Sequence, residues 1–198
     1  MLRPSIAVLL TAAFLAASAP CAIAEQPAWT VCFTPGEDCT DLIVDEIGHA
    51  QASVLVQAYS FTSVPILSAL KAAHGRGVDV EVIVARTSAR TSKSGSHHSA
   101  ATYLTNAGIP VWVDAKVAIA HNKLLVLNGT MVMTGSFNFT AVTQKSNAEN
   151  LLVIRDPQLA AEYRANWESR RAARPPARRC RSDSRSPCLR GAPRTAPR

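Results

Sequence analysis

The stretch that decides the reading runs from Ala120 to Asn150, AHNKLLVLNGTMVMTGSFNFTAVTQKSNAEN. An Asn128-Gly129 pair sits between two apolar runs, the strongest short-range signal for a hairpin closed by a two-residue type I′ turn. With such a loop Leu127 should face Thr130, Lys123 should face Thr134 and His121 should face Ser136. Strands have period 2, so His121 and Lys123 point to one face, and opposed residues share a face. The pattern therefore predicts an imidazole, an ammonium, a hydroxyl (Ser136) and an amide (Asn138) gathered on one side of one hairpin. A histidine near neutral pH can act as nucleophile or general acid/base. A cation and neutral donors around it suit the non-bridging oxygens of a phosphate. Glu149, on the next predicted strand, is placed to accept from the second ring nitrogen and fix the tautomer. Singly, each of these residues has an ordinary structural explanation, such as a lysine snorkelling from an edge strand; their convergence is what points to chemistry.

Outward from the hairpin, the flanking chain reads as alternating strands and helices. Strands are expected at Thr30–Phe33, Ser53–Phe61, Val78–Ala85, Val111–Val113 and Ala148–Ile154. Helices are expected at Asp41–Ala50 (capped by Thr40 or Asp41), from Pro65 through His74, at Ala100–Ala107 and over Pro157–Arg170. This order predicts one α/β domain with a mixed β-sheet flanked by helices on both faces. Arg86 to Ser99 is polar and aperiodic, a long loop. Its Arg86, Arg90, Lys93, His97 and His98 are candidates for contacting a nucleic-acid backbone, with a solvated lid as the alternative.

The two ends differ from this body. Residues 1–24 carry Arg3, an apolar run and Ala22-Ile23-Ala24, the pattern of a secretory signal peptide cleaved after Ala24. Pro20 argues against lipid attachment at Cys21. No stretch of the mature chain reaches the roughly 20 apolar residues of a spanning helix. A periplasmic or secreted location follows. Residues 170–198 hold ten arginines, five prolines and a single acid, Asp183, a composition expected to give a disordered basic tail. That tail accounts for the formal net charge of +7, because the body, residues 25–169, is at −3 by the same count. The basic balance therefore says nothing about the body's substrate, although the tail could add salt-dependent affinity for nucleic acid or anionic membrane. Cys32 and Cys39 flank a Pro35-Gly36 turn, and in an exported chain they are expected to form a disulfide. Cys180 and Cys188 in the tail either pair with each other or have no structural role.

The spacing of His121, Lys123, position 128 and Gly135-Ser136-x-Asn138 resembles the HKD motif of the phospholipase D superfamily. TGSFNFT followed by KSNAEN is most similar to the small single-motif bacterial endonucleases of that superfamily and their plasmid-borne relatives. QAYSFTSVPI and RGVDVEVIV resemble the early strands of the same proteins, so the likeness spans Val31 to Trp167. The resemblance implies a phospholipase D-like α/β/α sandwich and catalysis without metal or other cofactor. It implies His121 as a nucleophile forming a phosphohistidine, Lys123 and Asn138 on the phosphoryl oxygens, Ser136 assisting and Glu149 orienting His121. It further implies a homodimer, because the family uses two motifs per active site and this chain has one. The motif's aspartate is replaced by Asn128, a sensible turn residue that keeps hydrogen-bonding capacity and loses a charge. The expected substrate is nucleic acid, DNA favoured over RNA. The alternatives are a lipid phosphodiesterase and a weakened nucleic-acid binder.

Overall fold

A computed structural model of the chain describes residues 28–89 and 99–172. The expected signal peptide with Cys21, the loop residues Arg90, Lys93, His97 and His98, and the tail cysteines Cys180 and Cys188 all lie outside the described residues.

The cleanly alternating and apolar runs form the strands. In chain order the elements are β1 (Trp29–Thr34), α1 (Cys39–His49), β2 (Ser53–Ala58), α2 (Val64–Gly75), β3 (Asp79–Ala85), α3 (Ala100–Asn106), β4 (Val111–Asp114), β5 (Lys123–Leu127), β6 (Met131–Gly135), α4 (Ala141–Ser146), β7 (Glu149–Arg155) and α5 (Pro157–Arg171). They build a seven-stranded sheet in the order β1-β7-β6-β5-β2-β3-β4. β2, β3 and β4 pair in parallel through helical connections, and the remaining neighbours pair antiparallel, so the sheet is mixed. Alternation sends Val54, Val56, Leu125 and Met133 into a core shared with α1, α2 and α3. Leu55, Leu124, Val126 and Val132 point the other way, onto Ala160 and Trp167 of α5. Trp167 is 1% exposed, and its indole N–H donates to the Val56 carbonyl at 2.9 Å, which locks α5 across the sheet. The result is a single α/β domain with helices on both faces.

Several local expectations need correction. The α1 cap is Asp38, whose carboxylate accepts from the Asp41 amide at 3.0 Å. Thr40 instead donates from its amide and hydroxyl to Gln144 Oε1 at 2.9 and 3.1 Å. β2 stops at Ala58, and Phe61 makes an isolated bridge to Phe139. α4 was not foreseen, because six residues are too few to show a helical period; Thr140 caps it by accepting from the Thr143 amide. α5 runs on to Arg171, so two arginines counted with the tail are helical; Arg171 pairs with Glu81 at 2.8 Å and Arg170 lies 3.4 Å from Asp114. Cys32 and Cys39 are disulfide-bonded, closing the β1–α1 turn.

The hairpin register also shifts by one. Asn128 and Gly129 both have positive φ (53° and 68°), and the Thr130 amide donates to the Leu127 carbonyl, the expected I′ turn. However, Leu127 pairs with Met131 and Leu124 with Thr134. Thr130 is therefore an extra, bulged residue on β6, an insertion that sequence alternation cannot register. Lys123 comes opposite Gly135 by extension, so the pleat alone does not put Ser136 on the face of Lys123. These side chains meet for another reason: β6 ends at Gly135, and the chain leaves the ladder there.

Candidate active site

Beyond the ends of β5 and β6 a cavity of about 1030 Å³ opens, and His121, Lys123, Ser136, Asn138 and Glu149 all line it. Every residue that the sequence singled out for chemistry is therefore in one place. Lys123, the first residue of β5, is only 7% exposed. Its ammonium donates to the His121 carbonyl at 3.0 Å and lies 3.1 and 3.2 Å from the ring nitrogens Nδ1 and Nε2. Burial pushes the Lys123 ammonium below the usual lysine range, and the Glu149 carboxylate opposes that shift. A positive charge held in such a setting is available to an anionic ligand more strongly than one in open water.

Gly135 lets the backbone turn toward β7. The amides of Ser136 and Phe137 both donate to the Asn150 carbonyl, at 3.1 and 3.2 Å, and Ser136 Oγ accepts from the Asn150 amide at 3.1 Å. Phe139 then packs edge-on against Phe61, centroids 5.5 Å apart, and the amides of Thr62 and Ser63 donate to its carbonyl. Asn138 sits between these two clamps. Its side-chain oxygen is buried without a hydrogen-bond partner among the described residues. Glu149 Oε1 accepts from Asn147 Nδ2 at 3.0 Å, and its influence in the cavity falls on Lys123. No Glu149–His121 hydrogen bond is formed among the described residues.

Two parts of the site carried no sequence signal. Tyr59, just past β2, packs its ring against His121 with centroids 4.5 Å apart. The far wall comes from α5, through Leu159, Glu162, Tyr163, Asn166 and Arg170. Their helical spacing was legible, but nothing in the sequence says which strands α5 crosses. Arg86, a candidate backbone contact, donates to the Ala115 carbonyl at 2.8 Å and so braces the end of β4.

Asn128 lies at the other end of the strands. Its side-chain oxygen accepts from the amides of Gln51, Ala52 and Ser53 at 3.1, 2.9 and 3.4 Å, and its own amide donates to the Ser53 carbonyl at 2.8 Å. The position of the motif aspartate is thus a clamp between the hairpin turn and the start of β2, a task an amide oxygen performs as a carboxylate would. Asn128→Ala is expected to cost about 2 kcal/mol, from the lost acceptor and the positive φ. Asn128→Asp is expected to hold stability within about 1 kcal/mol and leave the rate near that of the parent. Chemical denaturation together with rate measurements checks both; a large gain in rate on Asn128→Asp would show that this turn supports catalysis.

A sequence model of the family described as "Cardiolipin synthase, PLD-like domain" matches residues 43–171. The chain is 41% identical over 143 residues to the phospholipase D of Rickettsia bellii, spanning 72% of this chain and 69% of that protein. It is 33% identical over 129 residues to the mitochondrial cardiolipin hydrolase of Xenopus laevis, spanning 64% and 58% of the two. Among solved structures, Nuc from Salmonella typhimurium, a phospholipase D family member, superposes with a TM-score of 0.68 at 33% identity, over 77% of this chain and 99% of that one. The chain belongs to the phospholipase D superfamily. Within it, the protein is a phosphodiesterase whose one domain carries a single His-x-Lys motif.

Proposed function

We propose that the protein is an exported, metal-independent phosphodiesterase that cleaves nucleic acid, DNA favoured over RNA, with little sequence preference. The observation that carries the reading is the cluster at the cavity floor: an exposed imidazole held against a buried ammonium, with Ser136, Asn138 and Glu149 around them. In the proposed reaction a ring nitrogen of His121 attacks phosphorus, and the P–O bond to the leaving oxygen breaks. The departing oxygen takes a proton from the partner's His121, which then deprotonates the water that hydrolyses the phosphohistidine. Lys123 and Asn138 hold the non-bridging oxygens, Ser136 assists, and the Glu149 carboxylate offsets the Lys123 charge. With one motif per chain, the site is shared by two subunits of a homodimer. Export rests on the signal-like first 24 residues, and a mature chain beginning at Glu25 is its test.

A second reading, a lipid phosphodiesterase, draws on the likeness to proteins named phospholipase D and cardiolipin hydrolase, and on the apolar part of the α5 wall, Leu159 and Tyr163. Among the described residues no helix is long and apolar enough to cross a membrane. Plasmid DNA, RNA and cardiolipin vesicles, each incubated with the protein in EDTA, separate the readings. DNA cleavage that survives EDTA is expected. Loss of cleavage with EDTA would sink the metal-independent mechanism, and lipid turnover without DNA cleavage would promote the second reading. A monomer by light scattering that is fully active would remove the shared site.

A further inference from the structure

We infer that Tyr59 is a positioning residue of this active site, acting through the face of its ring rather than through its hydroxyl. The inference rests on the reading that His121 reacts and Lys123 holds the phosphoryl group. The Tyr59 ring contacts both at once: its centroid is 4.5 Å from that of His121, with planes tilted by 53°, and Lys123 Nζ lies over it at 5.4 Å. An exposed histidine just before a strand has few other contacts to choose its rotamer, so this ring supplies a wall that narrows its choice. The negative face of the ring also favours cationic neighbours, which matters where an ammonium and an imidazole that becomes positive lie about 3 Å apart.

The ring can serve this purpose because its backbone is pinned from two sides. Ser88 Oγ donates to the Tyr59 carbonyl at 2.6 Å and accepts from the Phe61 amide at 3.2 Å, tying Tyr59 to the turn after β3. On the other side the Phe139 amide donates to the Ser60 carbonyl at 3.2 Å, which sets Tyr59 against the segment bearing Ser136 and Asn138. One short stretch after β2 thus references the imidazole, the ammonium and the phosphate donors to a common frame. Such support is what holds a reacting group within a fraction of an ångström of its productive geometry.

The test is steady-state hydrolysis of bis(p-nitrophenyl) phosphate by the full chain and its Tyr59→Phe, Tyr59→Leu and His121→Ala variants, over a range of pH. Tyr59→Phe keeps the ring and is expected to stay within about threefold of the parent. Tyr59→Leu keeps bulk without a π face and is expected to lower kcat by roughly 10- to 100-fold with little change in KM. It should also move the alkaline limb of kcat/KM to lower pH by about half a unit, because the Lys123 ammonium loses an aromatic neighbour. A merely structural role would not move that limb. Unchanged kcat and pH profile in Tyr59→Leu, with a parental unfolding temperature, would overturn the inference, as would a Tyr59→Phe variant as impaired as Tyr59→Leu. A fully active His121→Ala would overturn the reading beneath it instead, so the two failures are distinguishable.

Discussion

His121→Ala is expected to lower phosphodiester hydrolysis by roughly four orders of magnitude while leaving stability almost untouched. The rate falls because the imidazole is the group proposed to form the covalent intermediate; Lys123, beside it, is buried and committed by a 3.0 Å bond to the His121 carbonyl. That bond goes to the backbone, so it survives the substitution. The imidazole itself is exposed, packs on a single ring and fills no core volume, so the unfolding temperature should stay within about 2 °C of the parent. The pairing of a lost rate with a preserved fold is the useful signature. Rate measurement with thermal denaturation on the same preparation checks it, and an alanine variant that hydrolyses as fast as the parent would show that His121 is not the nucleophile.

Gly135→Ala is expected to cost both stability and activity. A Cβ on Gly135 would overlap the Asn150 carbonyl oxygen and approach the Asn150 side-chain oxygen to 2.9 Å, at a φ of +156° that L-residues rarely adopt. The backbone of β7 cannot retreat freely, because the Asn150 carbonyl accepts from the amides of Ser136 and Phe137. The lost bonds and the forced shift together should destabilise the domain by about 3 kcal/mol, or roughly 10 °C in unfolding temperature. The same shift displaces Ser136, Asn138 and Glu149 relative to His121, and a misplacement of about 1 Å can cost roughly 100-fold in rate. Calorimetry and turnover of the purified variant check this. A parental unfolding temperature would mean that the β6–β7 crossing has more room than its hydrogen bonds imply.

These two sites show how differently the sequence speaks. His121 and Lys123 announced themselves through spacing, because side chains gathered at one end of a hairpin keep fixed separations along the chain. Ser136, Asn138 and Glu149 were legible for the same reason, and all five line one cavity. The route by which they meet was misread. Alternation with a tight two-residue loop put His121 opposite Ser136, but the Thr130 bulge shifted the ladder, and the convergence depends on β6 ending at Gly135. Bulges leave little trace in composition, since one extra polar residue beside a turn looks like part of the turn. Asn128 stood out as a departure from the motif; its bonds to Gln51, Ala52 and Ser53 reveal a clamp joining segments some 75 residues apart.

What the sequence determined by itself was the class of fold and the set of polar side chains that line one cavity. Strand and helix periods are local properties, and five candidate side chains within 29 residues form a local pattern too. What only the tertiary structure decided was the company those groups keep. Tyr59 reaches His121 because β2 and β5, far apart in the chain, pair antiparallel with Ala58 opposite Lys123. The α5 wall closes the cavity because Trp167 is buried across β2. Such contacts are set by which strands become neighbours and how far each extends. That is a property of the whole packed sheet, and no window of residues contains it.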